Sequence, residues 1–235
     1  ALKQEAAAEA PPAKRARKGV RFGDEAGLTG VTVVDALNKI QKHIAHPNKC
    51  HKSCKLLLKL IGGGQLQGAA SHRACFACLR ASMADHGRLS ETPELRRVFR
   101  KVFQAAEGLL GGGGFSEAEA QWVREYALLA ITRCELHTDD SFLFAKKMNA
   151  LKAKFEALKE DSPTTSEVSD DLKSFHMETL VACLESAKGL YRERPWTQSS
   201  TWLLATKAYD MVSHFAQEAH RERIKRVYRW VESER

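Results

Sequence analysis

The chain has 235 residues, a formal net charge of +8, 43 % hydrophobic and 28 % charged residues, enough for one large domain or two small ones with a sizeable core. That composition excludes collagen-like, wholly disordered and disulfide-scaffold chains. No apolar run reaches the roughly 18–20 residues of a membrane span, no signal-like apolar stretch opens the chain, and six Cys in 235 residues read as reduced thiols of an intracellular protein.

The charge is uneven. Residues 1–22 carry six Lys/Arg against two Glu, and residues 31–59 carry six Lys against one Asp, whereas residues 60–235 are nearly balanced, 25 basic against 24 acidic. A field confined to the N-terminal quarter points to an acidic partner rather than to a uniformly nucleic-acid-coating protein.

In chain order, residues 1–30 hold almost no large apolar side chain and read as a disordered basic tail, because they cannot bury enough surface to offset the cost of ordering. Helical periodicity starts near Thr32, where Thr32 and Asp35 have capping-box spacing, and Val33, Leu37, Ile40 and Ile44 share one face. Pro47 ends that helix. A second helix spans about 49–61 and stops at the glycines 62–64. A third covers about 70–86, with Gly87 as its C-cap. The fourth begins with Thr92 at the N-cap and Pro93 at the first helical position, and its stripe is Leu95, Phe99, Val102, Ala106 and Leu109. Ser116 and Glu119 form a full capping box for a fifth helix, about 116–136. Asp139 or Asp140 caps a sixth, with Phe144, Met148, Leu151, Phe155 and Leu158 on one face. Residues 161–167 read as a linker, and two or three helices follow near 169–192 and 199–234, with a break near 216–220.

No segment reads as strands. The expected fold is all-α: an antiparallel bundle or short helical-pair array of about eight helices. Residues 31–160 form the helical domain and residues 168–235 pack on the same core. Glycine runs at 62–64 and 111–114 sit about fifty residues apart and hint at repeating pairs, but the helices between them do not match position by position.

Four motifs bear on function. Lys14, Arg15, Arg17 and Lys18, after two prolines, resemble a monopartite nuclear-localisation signal, which presents cations to the acidic grooves of an import receptor. The alternative is a solubilising tail. Directly after it, Val20 and Phe22 follow basic residues in a pattern that resembles the docking motif of protein phosphatase-1 regulators; their alternation would send both side chains into pockets beside a sheet edge. The departure is Gly19, where a basic residue is more usual. The alternative is that both side chains cover one end of the core.

Cys50, Cys54, Cys75 and Cys78 could make a four-thiolate zinc site, with His43, His46, His51 and His72 as alternate ligands; the second pair has a zinc-like spacing and the first does not. Helical phase favours another reading: Cys50, Cys54, Leu57 and Ile61 share one apolar face, and Cys75 aligns with Leu79, Ser82 and Met83, so the thiols act as small buried hydrophobes and no metal is expected. The fourth motif is a lysine face. Lys39 and Lys42 on the first helix and Lys49, Lys52, Lys55 and Lys59 on the second lie opposite the apolar stripes, offset only by Asp35. Ordinary surfaces interleave both signs, so this face points to an anionic partner, either RNA or an acidic protein surface; otherwise it is a solvated basic surface.

No Walker loop, His-Glu-x-x-His or Gly-x-Ser-x-Gly pattern occurs, His137 with Asp139 and Asp140 reads as a helix start, and Trp122, Trp196, Trp202 and Trp230 read as packing anchors. The expectation is a nuclear or nucleolar adaptor without enzymatic activity or cofactor. Its rivals are an RNA-binding ribosome-assembly factor using the same lysines and a protein phosphatase-1 targeting subunit.

Overall fold

In the computed structural model, which describes residues 30–159 and 169–235, the periodic segments form ten α-helices, with no strand among the described residues. The basic tail with its import-type cations Lys14, Arg15, Arg17 and Lys18, the docking residues Val20 and Phe22, and the linker 161–167 all lie outside the described residues.

The helices start where the sequence supplies caps. In α6 (Glu117–Leu136), Ser116 Oγ accepts the Glu119 amide at 3.3 Å and the Glu119 carboxylate accepts the Ser116 amide at 2.9 Å, completing the capping box. Asp140 caps α7 (Ser141–Ala157) by accepting the amides of Phe142 and Leu143 at 2.8 and 3.1 Å. Pro93 opens α5 (Pro93–Gly108), and Ser169 Oγ caps α8 (Asp170–Leu190) through the Leu172 amide.

Four boundaries differ from expectation. Helix α1 (Gly30–Ile44) begins before Thr32, so Thr32 and Asp35 lie within it rather than at its cap. Helix α2 (Cys50–Gly62) is as expected, but α3 (Gly68–Met83) closes before Gly87. Gly87 instead lies inside a short α4 (His86–Glu91), whose start is fixed by Arg88 Nε donating to Asp85 at 2.6 Å. Residues expected as one interrupted helix form α9 (Gln198–Asp210) and α10 (Glu218–Ser233). The break comes early because Met211 and Phe215, on either side of a single 3₁₀ turn, are both pulled fully into the core. The extra helices α4 and α10 explain why ten form rather than about eight.

Side-chain contacts fix how the helices run. Pro93 and Arg96 at the start of α5 line one pocket with Cys134, Glu135 and His137 at the end of α6, and Arg100, midway along α5, lies 4.0 Å from Glu135, so these two are antiparallel. Glu125 and Trp122 near the start of α6 meet His176 and Phe175 near the start of α8, while Arg133 and Glu185 share a cavity wall further along. Helices α6 and α8 are therefore parallel. The same holds for α8 and α10: Glu178 meets His220 at 3.0 Å, and later Tyr191 meets Trp230 with ring centroids 5.7 Å apart. Helices α7 and α9 also run together, from Phe144 against Trp196 to Glu156 against Lys207. The chain thus builds a helical-pair array in two layers: α6, α8 and α10 side by side, α7 and α9 returning behind them. At the N-terminal end α1 packs on α3 and α2 on α5.

One contiguous set of buried side chains runs from Val33 to Val231. The stripes read from periodicity are buried, except that Leu109 and Leu158, at helix ends, are only half-buried. Phe99 is fully buried and meets Phe103 edge-on, with centroids 5.1 Å apart. Phe99→Ala should cost about 3–5 kcal/mol in urea unfolding, because the lost apolar contact adds to an unfilled cavity. Phe142, 75 % exposed, provides the control: Phe142→Ala should change stability by less than about 0.5 kcal/mol.

Candidate anionic-partner interface

Helices α1 and α2 each present a buried stripe and a cationic back. Val33, Leu37, Ile40 and Ile44 are buried on α1, as are Cys50, Cys54, Leu57 and Ile61 on α2. All six lysines are exposed: Lys39, Lys42, Lys49, Lys52, Lys55 and Lys59. None forms an ion pair among the described residues.

The structure does not treat the six alike. A groove of about 520 Å³ runs between α1 and α2, with Ala36, Ile40 and Leu56 as apolar floor. Lys39, His43, Lys49 and Lys52 stand along its walls, and Asp35 and Thr32 line it from the first turns of α1. Lys42, Lys55 and Lys59 do not line it. Three lysines therefore converge on an apolar slot, and three face solvent elsewhere. Among the described residues, no Phe, Tyr or Trp lines the groove; its one aromatic ring is the His43 imidazole.

The four candidate zinc ligands are buried, and the structure does not bring them together as a site. The Cys50 thiol lies 3.2 Å from the Pro47 carbonyl, and the Cys78 thiol lies 3.2 Å from the Leu37 carbonyl. Burial pushes the Cys54 and Cys78 thiols up to about 12 and raises Cys75 further, as for thiols that pack as small hydrophobes. Among the described residues, no group of three or more His, Cys, Asp or Glu is placed to hold a metal ion. Asp139 pairs with Arg194 at 3.1 Å and Asp140 serves as a cap, so both carboxylates beside His137 have structural partners. The tryptophans lie in ring contacts, Trp122 with Tyr126 and Phe175, Trp202 with Tyr228.

A second cationic concavity was not foreseen. Arg96, Arg97 and Arg100 on α5 face Lys147 on α7 across the end of α6, where His137 lies. The i, i+1, i+4 spacing of the arginines was visible in the sequence, but the near-neutral charge of residues 60–235 hid it. No known protein family, curated protein or solved structure matches the chain. No described helix is long and apolar enough to cross a membrane.

Proposed function

We propose that the protein is a non-enzymatic adaptor that captures an acidic segment of a partner protein in the α1–α2 groove. The observation that carries this reading is the pairing of an apolar floor, Ala36, Ile40 and Leu56, with walls of Lys39, Lys49 and Lys52. An amphipathic helix fits such a slot by placing apolar anchors on the floor and carboxylates against the lysines. RNA is the weaker occupant. Phosphates would use the lysines, but single-stranded RNA draws much of its affinity from stacking on several aromatic rings, and among the described residues the groove offers only the His43 imidazole.

The test is competition. A synthetic helical peptide with Glu on one face and Leu on the other should bind with a defined stoichiometry, and poly(U) at equal charge should displace it poorly. Displacement of the peptide by poly(U) at matched salt would instead favour the RNA-binding reading.

The basic run at Lys14, Arg15, Arg17 and Lys18 adds a nuclear, or nucleolar, address to this proposal. Changing those four to Ala should move a fusion too large for passive diffusion from nucleus to cytoplasm. Nuclear accumulation unchanged by the four substitutions would remove the import reading.

A further inference from the structure

Between α5 and α7 lies a pocket of about 300 Å³, floored by the C-terminal end of α6. Arg96, Arg97 and Arg100 enter from α5, Lys147 from α7, and Glu135 and His137 lie in the floor. Four cations therefore line the pocket with one carboxylate, Glu135, while Asp139 and Glu91 act on Arg96 and Glu107 acts with Lys147 from outside the lining. The Glu135 carboxylate is already engaged, 4.0 Å from Arg100 and 2.5 Å from Lys147. Arg97 has no ion pair among the described residues. Arg96 is held in place by neutral groups, donating to the carbonyls of Ser90 at 2.8 Å and Glu91 at 2.7 Å, which orient the guanidinium without cancelling its charge. The Nε of Arg100 is buried with no hydrogen-bond partner. Like charges held this close repel one another, the Arg100 Nε donor lacks an acceptor, and an entering anion would relieve both.

We propose that this pocket is a binding site for a phosphate group carried as a dianion. Guanidinium forks suit tetrahedral oxyanions, because they donate in pairs at fixed geometry. A dianion gains about twice the Coulomb attraction of a carboxylate from the same cations. The volume admits a phosphate monoester, and the exposed Leu143 at the rim, 46 % accessible, suits the organic part of the ester. The site is separate from the α1–α2 groove, so its failure leaves that reading untouched.

His137 reports occupancy. Burial, then Arg96, Arg194 and Arg133, push its imidazole down to about 4, so it is neutral near pH 7. A dianion among those arginines would oppose them and raise it. The experiment follows the His137 ring protons by NMR in the full chain, titrated with inorganic phosphate, with phosphoserine and with acetate at matched ionic strength. Phosphate and phosphoserine should produce a saturable shift, and saturating phosphate should raise the His137 pKa by about one unit. Arg97→Glu, at an exposed position, and Lys147→Gln, at a half-buried one where the amide can still donate to Glu135, should each weaken binding by about tenfold or more without loss of folding. Groove variants at Lys39, Lys49 and Lys52 should bind phosphate as the unaltered protein does. Tighter binding of phosphoserine would support an ester-borne phosphate, and equal binding would support free phosphate. A shift that does not saturate, that acetate reproduces, or that survives both pocket variants would overturn the proposal.

Discussion

Changing Lys39, Lys49 and Lys52 together to Glu should weaken binding of an acidic amphipathic peptide by about 100- to 1,000-fold. Each screened surface pair contributes up to about 1 kcal/mol, and reversal replaces that attraction with repulsion of similar size. Three positions along one groove therefore change the affinity by roughly 3–4 kcal/mol, which is two to three decades. Folding should be untouched, because all three side chains are exposed and unpaired among the described residues, while the core faces of both helices stay intact. The matching control reverses Lys42, Lys55 and Lys59, which lie outside the groove. For a groove-bound peptide that triple change should cost less than about tenfold, through long-range field alone. For RNA spread over the whole basic face, the two triple changes should cost about the same, each lowering the slope of log affinity against log salt. Calorimetric titration of both variants separates these patterns.

Stability should fall as pH drops from about 6.5 toward 4, before ordinary carboxylates titrate. Two histidines cause this. Burial first, then Arg133, pushes His86 down to about 4, and Arg133 Nη1 lies 2.8 Å from His86 Nδ1, where a guanidinium donor requires an unprotonated ring nitrogen. His137 is held at about 4 by burial and by Arg96, Arg194 and Arg133. The unfolded chain takes up protons near pH 6.5 and the folded chain does not, so stability is fully present above 6.5 and is lost as pH falls toward 4. Between pH 7.5 and 5 each histidine accounts for about 1–2 kcal/mol, with His137 at the lower end because solvent reaches it more freely. Glu178 acts in a lower window. Despite its burial, the Arg223 guanidinium holds it below the ordinary carboxylate range, so its contribution is present above that range and is lost as pH falls through it toward the lowered folded-state value. His86→Asn keeps an acceptor for Arg133 and removes the titration. Urea unfolding at pH 7.5 and pH 5 should show the pH-dependent loss cut by about half in that variant; an unchanged loss would mean that other groups carry it.

Much of the fold was legible because local chemistry dictated it. Ser116 with Glu119, Asp140 and Pro93 mark helix starts that need no tertiary partner to form. Val33, Leu37, Ile40 and Ile44 mark a buried face by spacing alone. The errors fall where tertiary contacts decide. Gly87 resembles a stop signal, but Arg88 and Asp85 begin a new helical turn around it. The last break, expected near 216–220, falls earlier because Met211 and Phe215 are both buried on either side of the turn. The candidate site was half legible. Helical phase placed all six lysines outward, but which of them converge depends on which sides of α1 and α2 face each other, and single-helix periodicity carries no such information. The α5–α7 pocket was invisible for a related reason: acids and bases balance along residues 60–235, while packing gathers the arginines on one wall.

The most direct test of the groove reading places a photo-activated benzophenone side chain at Leu56, on the groove floor, in the full chain within living cells. The crosslinked peptides should be protein segments rich in Asp and Glu with interspersed apolar residues, and they should disappear when Lys39, Lys49 and Lys52 are changed to Glu. Crosslinks to RNA, or to the same segments undiminished by the charge reversal, would contradict it.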